Sequence, residues 1–152
     1  MNVECKGTTI TGDIEIEAPP EAVFGALTDP SQLAAWWGSE DTYRTYDWQL
    51  DVRPGGSWSC QARDITGGTG AVHGTYLEVD PPHKLVYTWN PSWDPGPETR
   101  VEFRLERIAS GTRLRLVHSG FEGRAQSQQG HSEGWQRVLG WLNAHLTSQV
   151  EK

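Results

Sequence analysis

The sequence predicts an α+β fold in which a curved antiparallel sheet of about seven strands wraps one long C-terminal helix, with two short helices after the first strand. Apolar and polar residues alternate through most of residues 45–121, as expected of strands that bury one face. Turn-forming residues are spread along the chain, and its 17 Gly and 9 Pro separate the alternating stretches. An apolar stripe at helical spacing then closes the chain, and this stripe and the apolar face of the sheet must bury each other.

The first strand is predicted over residues 8–17, where three isoleucines alternate with acidic residues. The proline pair that follows ends this strand and suits the first turn of a helix that continues over residues 21–29. Pro30 ends that helix, because the residue before a proline is disfavoured in the α conformation. A second short helix begins there, with Asp29 as its predicted N-cap and Gly38 as its C-terminal stop.

Six strands are predicted after these helices, each with an apolar face and separated by turns. Their approximate ranges are 46–52, 58–62, 71–79, 85–89, 100–106 and 113–118. In the first of them, alternation places Tyr46, Trp48 and Leu50 on one face. The strand at 85–89 is apolar on both faces, so its pattern leaves open which side chains point inward.

The C-terminal helix shows a single apolar stripe, with apolar residues at positions i, i+3, i+4, i+7 and i+11. The stripe consists of Trp135, Val138, Leu139, Leu142 and Leu146. The pattern predicts that the helix starts between Ala125 and His131. A chain of 152 residues has the usual size of one domain, and residues 1–152 are therefore predicted to form a single domain.

Charge and composition argue against several classes of partner. Lys and Arg total 13 against 20 Asp and Glu, and the net charge of −7 argues against nucleic acid or an anionic membrane surface. No apolar stretch approaches the roughly 20 residues that span a bilayer, and the N-terminal residues lack the apolar core of a signal peptide. Cys5 and Cys60 have no metal-ligand spacing. We therefore expect a cytoplasmic protein with reduced thiols and with no metal or cofactor.

Tryptophan is unusually frequent, with 8 in so short a chain. Aromatic side chains supply much of the contact area in apolar pockets, so those of the predicted strands and of the long helix are candidate ligand-binding residues. They are Trp48, Trp58, Tyr76, Tyr87, Trp89 and Trp135. The alternative is that these rings only pack the sheet against the helix. Trp93 lies in a proline-rich loop, where a large apolar ring indicates a lid, a contact surface or a loop anchor.

His118 and Glu78 are the candidate polar groups. His118 continues the apolar parity of its strand, so it should point inward as a ligand contact, as a base, or as a core histidine bonded to the backbone. Glu78 is predicted to share a face with Tyr76, where it would be an acid or base if that face lines a cavity, or a solvated carboxylate if it does not. His131 lies near the start of the long helix, where it could approach a cavity mouth.

Five strings of the sequence together resemble a known family. They are APPEAVFGALTDPSQLAAWWG (Ala18–Gly38), RPGGSW, GTYLEVDPPHKLVYTW, GTRLRLVHSGF and HSEGWQRVLGWL, in this order along the chain. The resemblance covers about residues 10–147 and is to the family of activator-of-heat-shock-protein-90-ATPase-like proteins. This family belongs to the START-like, birch-pollen-allergen-like (SRPBCC) superfamily, whose fold is called the helix-grip fold.

The resemblance implies a hydrophobic cavity between the sheet and the long helix that holds a small apolar or aromatic ligand. We expect non-catalytic binding of such a molecule by the six aromatic residues above, with His118 as the polar contact. Two alternatives follow: a co-chaperone-like module that docks another protein, and a cyclase- or hydrolase-like enzyme that uses His118 or Glu78. The expected partner is therefore a small molecule, or else a chaperone or another protein, and the chain is expected to be a monomer or a homodimer.

Overall fold

The computed structural model describes residues 1–150, with side chains through Thr147, so residues 151 and 152 of the predicted domain lie outside the described residues. The strands are β1 (Asn2–Lys6), β2 (Thr9–Ile16), β3 (Tyr43–Leu50), β4 (Ser57–Asp64), β5 (Thr69–Asp80), β6 (Lys84–Pro91), β7 (Thr99–Ile108) and β8 (Gly111–Ser119). The helices are α1 (Pro20–Thr28), α2 (Pro30–Trp36) and α3 (Ala125–Val150). All strand pairs are antiparallel, in one sheet with the order β1-β2-β8-β7-β6-β5-β4-β3.

The predicted α+β helix-grip fold is confirmed, and the sheet has one strand at its edge that the sequence did not reveal. This strand, β1, pairs with β2 so that Asn2 lies opposite Asp13 and Lys6 lies opposite Thr9. Four of its five side chains are exposed, and it has no buried face. A strand without a buried face shows no alternation of apolar and polar residues, which is the signal that sequence reasoning uses.

The two short helices follow the predicted signals. Pro20 begins α1, and Asp29 caps α2 by accepting a hydrogen bond from the backbone N–H of Ser31 at 3.0 Å. Just after α2, Gly38 has a φ of +132°, and a Cβ there would lie 2.5 Å from the carbonyl oxygen of Tyr43. Glycine is therefore required where the chain leaves α2 and enters β3.

A β-bulge in β3 changes the predicted face of one aromatic residue. The register between β3 and β4 shifts between Tyr46 and Gln49, and Asp47 within the bulge has a φ of +54°. Thr45 is buried and Trp48 packs against the core, whereas Tyr46 is 41% exposed. The prediction that Tyr46 and Trp48 share a face is therefore wrong, because one inserted residue changes which side chains point inward.

A second bulge, in β5, corrects the prediction for Glu78. Tyr76 pairs with Tyr87 of β6, but the register then shifts so that Glu78 pairs with Val86. Because neighbouring residues of β6 point to opposite faces, Glu78 lies on the face opposite Tyr76. The prediction that these two residues share a face is wrong. The same register shows which side of β6 faces the core, since Tyr87 and Trp89 both belong to the buried cluster.

Helix α3 begins at Ala125, within the predicted range, and its apolar stripe is buried. It packs on β1, β2 and the two short helices, with the Leu139 side chain 3.5 Å from the position that a Cβ on Gly12 would take. Toward β3, β4 and β5 the helix packs less closely, which leaves a gap on that side of the sheet. Within the described residues, no helix combines the length and hydropathy needed to cross a membrane.

Candidate ligand-binding pocket

A pocket of about 640 Å³ fills the gap between α3 and the β3–β5 side of the sheet. Its walls come from the strands β3 to β6, the end of α2, the loop after β6, and α3. Its aromatic lining consists of Trp37, Tyr43, Trp48, Trp89, Trp93 and Trp135. A volume of this size is typical of sites for small molecules.

The helix side of the pocket is open because α3 has two glycines one turn apart. Gly130 and Gly134 both line the pocket, and a Cβ placed on either one would meet nothing within 4 Å. Glycine inside a helix lowers stability by about 0.5–1 kcal/mol relative to alanine. The sequence therefore leaves free space in this wall although alanine would fit and would make the helix more stable.

Trp37 is the centre of the aromatic wall, and sequence reasoning did not select it. Its ring centroid lies 5.6 Å from that of Trp48, 6.1 Å from that of Trp89 and 5.9 Å from that of Trp135. These three neighbours are the members of the predicted aromatic set that line the pocket. The available signal was the pair Trp36–Trp37 at the end of α2, whose rings are both buried with centroids 5.3 Å apart.

The other three predicted aromatic residues lie behind this wall. Trp58 stacks on Trp48 with centroids 6.2 Å apart, and its Nε1 donates to the carbonyl of Thr88 at 3.2 Å. The ring of Tyr87 packs edge-on against Trp58 at 5.1 Å and against Tyr76 at 6.2 Å. Burial raises the pKa of both tyrosines, which stay protonated. These rings support the wall from the core side and do not line the pocket.

His118 is fully buried and hydrogen-bonded at both ring nitrogens. Trp135 Nε1 donates to its Nδ1 at 3.0 Å, and because an indole N–H is only a donor, the proton of the neutral ring is on Nε2. That Nε2 donates to Thr99 Oγ1 at 2.8 Å. Burial, together with the neighbouring His131, lowers the pKa of His118 well below its usual value. His118 therefore orients Trp135 from behind the wall and does not itself line the pocket.

His131 lines the pocket beside Trp89, in keeping with its predicted place near a cavity mouth. Trp89 Nε1 donates to His131 Nε2 at 3.1 Å, and His131 Nδ1 donates to the carbonyl of Ser127 at 2.8 Å. Burial lowers the pKa of His131, although the Ser127 carbonyl and the Asp94 carboxylate oppose this effect. With both nitrogens occupied, the neutral ring positions Trp89 and is not a free base.

The loop after β6 is tied to the start of α3 through Asp94. Its carboxylate accepts hydrogen bonds from Ser127 Oγ and from Arg124 Nη2, the latter at 3.2 Å. The neighbouring Trp93 is 56% exposed and forms part of the pocket rim, where its ring lies 2.9 Å from the position of a Cβ on Gly70. Sequence reasoning did not find Asp94, because its partners lie 30 and 33 residues further along the chain.

Two other candidate reactive groups are not placed for catalysis. Glu78 is on the outer face of the sheet, where it forms an ion pair with Lys84 at 2.7 Å, and the hydrogen bond from Lys84 lowers the pKa of its carboxyl. Cys60 lines the pocket as a free thiol, but burial raises its pKa to about 12, so it is not a thiolate. In the part of the chain that the structure describes, no group of three His, Cys, Asp or Glu side chains could hold a metal ion.

Comparison with known protein families shows which family the chain belongs to. A family model described as Activator of Hsp90 ATPase homolog 1-like protein matches residues 17–147. The chain belongs to this family. The Activator of Hsp90 ATPase homolog 1-like family has its general home in the SRPBCC superfamily, so the predicted resemblance is confirmed. The match runs from just before α1 into the last turns of α3 and includes every wall of the pocket. No curated protein matches the chain.

Solved structures of other proteins have the same fold as this member of the Activator of Hsp90 ATPase homolog 1-like family. The AHSA1 protein of Silicibacter pomeroyi is 29% identical, with a TM-score of 0.79 over 93% of this chain and 99% of that one. A protein from Chromobacterium violaceum is 28% identical, with a TM-score of 0.82 over 91% of this chain and 96% of that one. The AHSA1-like protein from Aeromonas hydrophila is 21% identical, with a TM-score of 0.76 over 95% of both chains, and this likeness shows the fold alone.

Proposed function

We propose that this protein binds a small apolar or aromatic molecule, without transforming it, in the pocket between the sheet and α3. The observation that supports this best is a tryptophan-walled space of about 640 Å³ that two helix glycines keep open. Gly130 and Gly134 relieve no steric contact, so packing does not explain why they are glycines. Free volume for a ligand does explain it.

The hydrogen bonds of the wall favour an apolar, planar ligand. Four wall tryptophans already donate their indole N–H groups to partners inside the protein. The pairs are Trp37 to Tyr43, Trp48 to Thr45, Trp89 to His131, and Trp135 to His118. What these four residues offer to a ligand is therefore ring faces and edges, which favour aromatic or aliphatic groups over groups that need a hydrogen-bond donor.

The enzyme alternative has less support from the geometry. His118 lies behind the wall, and Glu78 lies on the outer face of the sheet. The hydroxyl of Ser127 lines the pocket, but it donates to Asp94, and neither nitrogen of His131 is free to take its proton. A hydrolase- or cyclase-like reaction would need an acid or base that these residues do not supply.

Location and partner are part of the same proposal. Residues 1–152 act as one cytoplasmic domain, and the two free thiols, Cys5 and Cys60, support a reducing compartment.

The alternative function, taken from the family description, is a protein-docking module of the type that activates the ATPase of heat-shock protein 90. If the protein had that role, the purified chain would raise the rate of ATP hydrolysis by the chaperone. The Trp93→Ala variant would not raise it.

Filling the pocket from the helix side tests the proposal. Gly134→Leu places a branched side chain in the free volume, whereas Gly140→Leu makes the same change at a helix glycine that has open space but does not line the pocket. We expect Gly134→Leu to weaken binding of aromatic probes by about tenfold or more, because the added side chain occupies their space. Tryptophan fluorescence quenching by a panel of neutral aromatic compounds measures affinity, and native mass spectrometry detects any co-purified ligand.

Thermal melting provides the control for folding. Both glycine substitutions raise helix propensity by about 0.5–1 kcal/mol, so neither should lower the melting temperature. Equal probe affinity in the wild type, Gly134→Leu and Gly140→Leu would contradict binding in this pocket. An absence of saturable binding across the panel would also contradict it, and the chaperone assay would then be the next experiment.

A further inference from the structure

We propose that the ligand of this pocket has a carboxylate group, and that Arg137 binds it. This inference rests on the proposed function and specifies the charge of the ligand. Arg137 lies on α3 three residues after Gly134, so its side chain starts from the same open face of the helix. It lines the pocket together with the aromatic wall.

The two carboxylates that line the pocket already have partners within the protein. Asp94 forms an ion pair with Arg124 at 3.2 Å. Asp64 accepts a hydrogen bond from the backbone N–H of Gly68 at 2.8 Å, within the turn that follows β4. In contrast, across residues 1–147, whose side chains are described, Arg137 has neither an ion pair nor a hydrogen bond. The pocket thus combines apolar ring faces with an arginine that has no hydrogen-bond or ion-pair partner among the side chains of residues 1–147.

Tyr43 adds a second donor, since it lines the same pocket as Arg137. Its Oη accepts a hydrogen bond from Trp37 Nε1 at 3.2 Å, which leaves the phenol O–H able to donate. Burial raises the pKa of this phenol, although the Trp37 hydrogen bond and the charge of Arg137 oppose the effect. A protonated phenol and a planar guanidinium that line the same pocket offer donors that a carboxylate accepts.

The acidic net charge of the protein does not prevent such binding. The charge of −7 is the sum over the whole chain, and mobile ions screen exposed charges from one another beyond about 8 Å at physiological salt. A hydrogen bond between a guanidinium and a carboxylate acts within about 3 Å and is screened much less when an aromatic body covers it. An aromatic carboxylate would therefore use both features of the pocket, its ring on the tryptophan wall and its charge on Arg137.

Two probes that differ only in the charged group test the inference. They are 2-naphthoic acid, which is an anion at neutral pH, and its neutral amide, 2-naphthamide. We expect the wild type to bind the acid about tenfold more tightly than the amide. Arg137→Gln should lose this preference while its affinity for the amide stays unchanged. Arg100→Gln, on β7 outside the pocket, makes the same change in net charge and should behave as the wild type.

The outcomes separate this inference from the proposed function. Equal affinity of the wild type for acid and amide, or an equal loss in Arg137→Gln and Arg100→Gln, would overturn the role of Arg137. The proposed function would survive that result if the amide still binds and Gly134→Leu still weakens it. Failure of both probes to bind would overturn both. Tyr43→Phe is a second variant, for which we expect a smaller but selective loss of affinity for the acid.

Discussion

Replacing Trp135 with alanine is expected to lower the free energy of unfolding by about 3–5 kcal/mol, the usual range for deleting a buried aromatic side chain. The Trp135 ring is buried, with its centroid 5.8 Å from that of Phe103 and 5.9 Å from that of Trp37. The substitution also leaves the buried Nδ1 of His118 without its donor. Since domains of this kind have about 5–15 kcal/mol of total stability, we expect a melting temperature about 10 °C lower.

Two further substitutions separate the contributions to this loss. Trp135→Phe keeps most of the ring packing and removes the N–H, so its effect of about 1–3 kcal/mol measures the hydrogen bond to His118. Trp93→Ala removes the same type of side chain from a position that is 56% exposed, and it should change stability by less than about 1 kcal/mol. Urea denaturation measures all three, and an equal loss for Trp93→Ala and Trp135→Ala would show that Trp135 is not a core residue.

The protein is expected to lose about 1 kcal/mol of stability between about pH 6.5 and 5.5 because His118 stays neutral in the fold. Burial lowers the pKa of His118 well below the ordinary value of 6.5, with His131 contributing from a ring centroid 5.3 Å away. Above pH 6.5 His118 is neutral in both the folded and the unfolded state, so protonation takes nothing from the free energy of unfolding there. Below it, the unfolded chain takes up a proton that the folded chain does not, and stability falls until the lower folded pKa is reached.

A variant without a titrating group at position 118 tests whether His118 causes this loss of stability. In His118→Asn the side-chain amide oxygen can still accept the hydrogen bond from Trp135, so the fold should persist with a shallower dependence of stability on pH. His73→Asn removes an exposed histidine of β5 and should leave the dependence unchanged. Urea denaturation at pH 7.5, 6.5 and 5.5 provides the comparison. An unaltered slope in His118→Asn would assign the acid sensitivity to other groups.

Much of the fold could be predicted because its signals are local. The Asp29 cap, the prolines around α1 and α2, and the apolar stripe of α3 each depend on residues within a few positions of one another. Alternation also located most strands, since most have one buried face, whereas β6 is buried on both faces and showed only as a short apolar run. Alternation did not predict β1, which has no buried face. It also assigned the wrong face to residues after the bulges of β3 and β5, where one extra residue exchanges the inward and outward positions and the sequence does not show it.

The candidate site was less predictable because its parts come from distant segments. The aromatic residues were recognisable as a set, yet nothing in their spacing distinguished Trp89, which lines the pocket, from Tyr87, which lies behind it. Asp94 and Ser127 meet only because the loop after β6 folds onto the start of α3. The role of His118 likewise depends on the indole that it faces.

The sequence by itself therefore determined the family, the order of the elements and the amphipathic faces that bring sheet and helix together, because these follow from composition, turn chemistry and periodicity along the chain. Only the tertiary structure decided where α3 separates from the sheet, and thus where a space remains between Gly134 and the tryptophan wall. That separation depends on the curvature of the whole sheet and on its bulges. The curvature is the sum of small backbone rotations in many residues, and no local sequence pattern specifies this sum.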